Sequence, residues 1–153
     1  RHRAGVAISP DSLRFVRLED LGPWVPVAIR ENPEAIEIFG ETFKHLEGLQ
    51  IKLAKLFRLD DEGVPFAVKK EITSAMRRIA PIGLATTIGW SANPRTLRWT
   101  LEMRTHPTAE EEIRLVFGCV GEIVCLRYPH LFSDFEVVME KGLPWYKPKN
   151  SKV

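Results

Sequence analysis

Cysteine is nearly absent from this sequence, with two in 153 residues. Two thiols cannot staple a disulfide scaffold, and their scarcity fits a reducing compartment, read here as the cytoplasm. Histidine is sparse as well: there are four, and His45, His106 and His130 have no ligand spacing to one another, so no metal is expected. No apolar run approaches the roughly 18 residues that a membrane span needs. No glycine-rich phosphate loop and no dinucleotide fingerprint occurs. An excess of one charge is missing too. With 22 Lys and Arg against 20 Asp and Glu, the net charge of +2 gives no argument for nucleic acid as a partner.

What is present is the composition of an ordinary folded chain. Hydrophobic residues make up 44% and charged residues 27%, which excludes a disordered or collagen-like class, and the length suits a single domain. The chain opens on Arg1 rather than Met and is expected to start inside a longer protein. Residues 1–11 read as irregular, and Ser12 to Arg17 alternate in the manner of a short strand. Gly22, Pro23, Pro26 and Pro33 mark a loop. Asn32-Pro33 then predicts a helix start, with apolar positions Ile36, Phe39, Phe43, Leu46, Leu49, Leu53 and Leu56 at helical spacing. A second helix is expected from Pro65 to Ile79 and a short strand over 84–91. A third helix should start at Asn93-Pro94 and reach about Thr105. Thr108 and Glu111 have the spacing of a capping box for a fourth, which Pro129 ends. The Lys- and Pro-rich stretch 141–153 reads as a loose end.

Several arginines break the bland pattern. Leu97, Leu101 and Arg104 fall on one face of the third helix. By position alone Arg104 is a snorkelling side chain; the sharper alternative is a guanidinium aimed into a cleft. Arg95 sits in the first helical turn, where the dipole disfavours a cation by about 0.3–1 kcal/mol but favours an anion beside it. An exposed arginine and a phosphate ligand fit that position equally well. Arg77 and Arg78 lie where a helix end welcomes cations. Arg1-His2-Arg3 is either a basic patch or an anion site. Cys119 and Cys125 are six apart, on different faces of an apolar helix, and read as small core residues. The residues alone thus describe a mixed helix-and-strand domain with convergent arginines suited to a phosphorylated ligand.

The same arginines resemble a family signature. Arg1-His2-Arg3 followed by Ser12-Leu13-Arg14-Phe15 is similar to the R-H-R…S-x-R-[YF] signature of the flavin-dependent thymidylate synthases, the ThyX family. Arg77 with Pro81, Trp90, Asn93-x-Arg95-x-Leu97, Met103-Arg104 and Glu112-Ile113 resemble further elements in the same order. The resemblance runs from residue 1 to about 136 and is weak between 18 and 73. Pro10 stands where the family carries a glutamate, Val6 where it carries a serine, and Trp99 where a polar residue is usual.

The resemblance implies an α+β fold, with short strands of a mixed or antiparallel sheet flanked by long helices, mainly helical in this stretch, as a single catalytic domain over 1–153. It implies methylation of deoxyuridine monophosphate (dUMP) to dTMP. Methylenetetrahydrofolate would be the carbon donor, reduced flavin adenine dinucleotide (FAD) the hydride source, and NADPH the reductant of the flavin, with no cysteine attack on the pyrimidine. It implies a homotetramer with shared active sites. Carried over by position, Arg104 resembles the residue that stabilises ionised uracil. Ser12, Leu13, Arg14 and Arg77 resemble nucleotide ligands, with Arg14 on the phosphate. Arg1, His2, Arg3, Asn93 and Arg95 resemble flavin ligands. A diverged homologue, binding flavin or nucleotide with altered activity, is the alternative that Pro10 favours.

Overall fold

The structure is a computed structural model and describes residues 5–11 and 22–151. The expected strand over Ser12–Arg17 lies outside them. The described residues are mostly helical, with short antiparallel strands, which makes the fold α+β. Strand β1 (Val6–Pro10) pairs with β2 (Ile88–Ala92). Asn93 N–H donates to the Gly5 carbonyl at 2.9 Å and Asp11 N–H to the Thr87 carbonyl at 2.8 Å, so the two run in opposite directions. Residues 1–11 therefore hold a strand where the turn residues Ser9 and Pro10 had suggested irregular chain. Pro10 lacks a backbone N–H, and a two-stranded ribbon has edge positions that tolerate this.

The chain divides into two compact units, residues 9–89 and residues 1–8 with 90–153. In the first, a short helix α1 (Val27–Arg30) occupies part of the expected loop. Helix α2 (Pro33–Leu56) begins where Asn32-Pro33 places it. The Asn32 side-chain oxygen accepts the N–H groups of Glu34 and Ala35, both at 3.1 Å. Helix α3 (Phe66–Met76) runs on into a 3-10 turn, Arg77–Ile79, ahead of Pro81. Ala54, Leu59 and Met76 form the core here, with Leu53 and Ile72 packed against it. Buried Gln50 donates from Nε2 to the Met76 carbonyl at 3.1 Å, satisfying an acceptor at the end of α3.

The second unit holds α4 (Pro94–Arg104), α5 (Glu111–Arg127), a short α6 (Pro129–Phe132) and a hairpin of β3 (Phe135–Glu140) and β4 (Leu143–Pro148). Its core is Leu101, Val124, Phe132 and Tyr146. Trp90 meets Phe117 edge-on at 5.5 Å. Thr108 and Glu111 do not close a capping box. Glu110 is the N-cap of α5 without a side-chain bond, and Thr108 pairs with His106 Nδ1 at 2.8 Å instead. Where the sequence suggests a loose end after Glu140, the chain forms β4, with Tyr146 and Pro148 buried. The reason is the turn. Lys141 (φ 52°) and Gly142 (φ 74°) both adopt positive φ, as a two-residue hairpin loop of matching twist requires.

The hairpin lies on one face of α5. Arg114, Gly118, Gly121 and Val124 recur at intervals of four, three and three and are all buried. A Cβ at Gly121 would stand 2.5 Å from the Tyr146 ring, and one at Gly118 would stand 3.1 Å from Pro144 Cγ. The glycines thus set how near the hairpin approaches.

A second tie joins α4 to the segment ahead of β3. Arg98 donates to the Leu131 carbonyl and, at 2.7 Å, to the Asp134 carboxylate, with its guanidinium 4.7 Å from the Phe135 ring centre. The Arg98 hydrogen bond, first among its causes, holds the Asp134 carboxyl below its usual range. A carboxyl with a lowered folded pKa contributes stability above its unfolded pKa of about 3.9 and loses it as pH falls through the folded value. In urea melts, Asp134→Asn is expected to be less stable than the parent at pH 7 and pH 5. The gap should close once the pH lies below both values. A gap of constant size down to pH 2 would contradict the ion pair as its source.

Candidate functional site

Helix α4 carries three of the predicted site residues. Asn93 is its N-cap, with its side-chain oxygen accepting Thr96 N–H at 2.9 Å, and Pro94 holds the first helical position. The Asn93 side chain also lies against the Cα of Gly5, whose φ of +87° suits glycine. Arg95 follows in the first turn and Arg104 in the last. Nine residues separate these arginines, about 14 Å along the axis and about half a turn around it. The two side chains therefore leave the helix from opposite sides and opposite ends.

Both side chains are exposed, and neither makes an ion pair or hydrogen bond among the described residues. The apolar face of α4 ends at Leu101, which is fully buried, and Arg104, three residues further on, is exposed. Arg95 adds a cation at the end of the helix where backbone N–H groups already favour an anion. That donor set fits a phosphate-bearing group. Arg77 opens the 3-10 turn in the other compact unit and is likewise exposed and unpaired among the described residues. Arg1, His2, Arg3, Ser12, Leu13 and Arg14 lie outside the described residues.

An apolar groove of about 340 Å³ between α2 and α3 is lined by Leu53, Phe57, Ile72, Met76 and Ile79, and it holds none of the predicted site residues. The cysteines divide. Cys125 is half-buried against the core, and burial pushes its thiol up, with Arg98 pulling the other way. Cys119, expected in the core, is exposed, because the hairpin covers the Gly118–Gly121 side of α5 and leaves Cys119 outside it.

Two residues around α4 escaped the sequence reading. Thr105, its C-cap, is fully buried, and Arg114 is only 3% exposed. The signal for Arg114 was the pair of glycines four and seven positions further on. Mid-helix glycine costs about 1 kcal/mol relative to alanine, so two on one face call for a close neighbour.

The family model for thymidylate synthase complementing protein matches residues 1–130. The chain belongs to this family, that of the flavin-dependent thymidylate synthases. Curated relatives include the flavin-dependent thymidylate synthase of Mycolicibacterium vanbaalenii. It is 32% identical over 142 residues, covering 91% of this chain and 56% of the relative. That of Corynebacterium diphtheriae is 31% identical over 139 residues, covering 89% and 54%. The chain thus spans about half the length of the curated relatives it matches. Among solved structures, a crystal structure of Helicobacter pylori ThyX with FAD and dUMP superposes with a TM-score of 0.55 at 16% identity, covering 86% of this chain and 62% of that one. A second Helicobacter pylori ThyX structure with the same two ligands gives a TM-score of 0.54 at 18% identity. The fold is therefore ThyX-like.

Proposed function

We propose that this chain is part of an enzyme that methylates dUMP to dTMP, with methylenetetrahydrofolate as carbon donor and NADPH as the source of electrons. The observation that carries the reading is the pair of uncommitted arginines on α4, in a chain of this family. Bound FAD, once reduced, supplies the hydride that completes the methyl group. Asn93 and Arg95 hold its anionic part at the start of α4, together with Arg1, His2 and Arg3. Ser12, Leu13, Arg14 and Arg77 bind the nucleotide, with Arg14 on the phosphate. Arg104 sets its planar cation against the uracil and stabilises negative charge on N3, which makes C5 more nucleophilic. A guanidinium does this without giving up its own charge.

In this reading residues 1–153 belong to one catalytic domain that works in the cytoplasm. The assembly is a homotetramer in which active sites are shared between chains. The half-turn between Arg95 and Arg104 supports sharing, since one helix would present its two ends to different sites. The exposed apolar side chains of α2 and α5, among them Ile38, Leu56, Ile123 and Leu126, support further burial on assembly.

The test uses the full-length protein. It should purify with near-stoichiometric flavin absorbance and form dTMP from dUMP, methylenetetrahydrofolate and NADPH. Arg95→Ala should lower flavin affinity roughly ten-fold or more, the effect of losing a charge-assisted hydrogen bond, while leaving the melting temperature nearly unchanged. Full flavin retention in Arg95→Ala would remove Arg95 from the site. Flavin binding without dTMP formation would favour the second reading, a diverged flavin- or nucleotide-binding homologue. Pro10, placed in β1 where the family has glutamate, is the residue that speaks for it.

A further inference from the structure

Every polar atom of Thr105 is engaged. Its N–H donates to the Leu101 carbonyl at 3.0 Å, and its hydroxyl donates to the same carbonyl at 2.7 Å. The hydroxyl also accepts the N–H of Tyr146 at 2.9 Å, and the Thr105 carbonyl accepts Arg114 Nε at 3.2 Å. Arg114 donates from its other end to the carbonyls of Glu140 at 2.7 Å and Leu143 at 3.2 Å, on either side of the hairpin turn. A buried guanidinium is thus held by three backbone carbonyls, with no carboxylate partner among the described residues. Only a planar fork of several N–H donors can reach acceptors in these separate directions; an ammonium cannot.

The clamp closes one residue beyond Arg104. The peptide that ends α4 is fixed to α5 and to the hairpin, while the Arg104 head is exposed and free of protein partners among the described residues. Such an arrangement fixes where a long side chain starts and leaves its charge for a ligand, lowering the ordering cost of binding. We propose that Thr105 and Arg114 are positioning residues for Arg104, holding the end of α4 so that the guanidinium meets the uracil ring of dUMP. This rests on the reading of Arg104 as the uracil-binding residue.

The experiment is a double-mutant cycle on dUMP affinity, measured in the flavin-loaded full-length protein. Thr105→Val removes the hydroxyl at nearly constant volume and should raise the dUMP Kd roughly ten-fold, with flavin content unchanged. Thr105→Ser restores the hydroxyl and should bring Kd back to within about two-fold of the parent. In an Arg104→Ala background, Thr105→Val should add no further loss, because a residue acting through Arg104 has nothing left to position. Equal losses in both backgrounds would show that Thr105 merely supports the fold, and parent-like affinity in Thr105→Val would also overturn the proposal. If Thr105→Val does not fold, Arg114→Lys, which keeps the charge and loses the fork, is put through the same cycle with the same criteria. A parent-like Kd in Arg104→Ala alone would overturn the underlying reading of Arg104, and the positioning role with it. A weakened Arg104→Ala beside a parent-like Thr105→Val would overturn the positioning role only.

Discussion

Arg104→Lys is expected to keep flavin and much of the dUMP affinity yet lose turnover by on the order of a hundred-fold. The two side chains carry the same charge but different shapes. Arginine is a flat, weakly hydrated fork, whereas lysine is a compact ammonium that holds its water. A planar donor pair aimed at the developing anion on a uracil ring acts as donors in an oxyanion hole do, and losing one such group costs about 10²–10³ in rate. Arg104 is the last residue of α4, and Thr105 behind it is fully buried, so the replacement has a fixed starting point and little freedom to compensate. Arg104→Ala removes both charge and fork and should be worse in binding and in turnover. Methyl transfer in a single turnover with pre-reduced flavin reads the chemistry apart from flavin reduction. Near-parent rates in Arg104→Lys would mean that charge alone suffices. Near-parent rates in Arg104→Ala would take the residue out of the mechanism.

The largest stability effect is expected at Gly121. An added methyl there would lie 2.5 Å from one Tyr146 ring carbon and 2.6 Å from the next, where carbon atoms at rest stand about 3.5–4.0 Å apart. The ring has little room to yield. Tyr146 is 5% exposed, and its backbone N–H is tied to Thr105. Overpacking of this kind costs about 1–3 kcal/mol and occasionally more, against about 1 kcal/mol gained from replacing a mid-helix glycine. Three ring atoms closer than 3.0 Å put this site at the top of that range, so Gly121→Ala should lose ~2 kcal/mol net. Gly118→Ala meets only Pro144, at 3.1 Å from Cγ, and ring pucker can absorb that, so its net effect should be small. Gly48→Ala, on α2 with nothing within 4 Å, should gain about 0.5–1 kcal/mol. Denaturant melts of the three variants should fall in that order. A neutral Gly121→Ala would mean that the hairpin is not seated on α5 as described.

The helix starts were legible because their signals are local. At Asn32-Pro33 and Asn93-Pro94 a side-chain acceptor precedes a residue that needs no backbone partner, and both helices begin there. What escaped depends on partners far along the chain. Thr108 and Glu111 have capping-box spacing, yet the Thr108 hydroxyl is already bound to His106. The hairpin strands mix apolar residues with Glu in β3 and with Pro and Lys in β4, and they form through Lys141 at positive φ and a glycine-lined face on α5. Arg95 and Arg104 stood out through helix position and dipole. Arg114 did not, since its acceptors lie 26 and 29 residues away and next to a helix end.

The hairpin lies past residue 130, where the family match stops, and that placement has a genetic reading. A premature stop codon between Pro129 and Lys141 would spare every arginine of α4 and still strip Arg114 of two carbonyls and Thr105 of the Tyr146 N–H. Such an allele would still encode Arg95 and Arg104 and is expected to lose function through the fold alone. For the same reason an inserted tag or protease site belongs outside the hairpin, whose last residue, Pro148, is still buried.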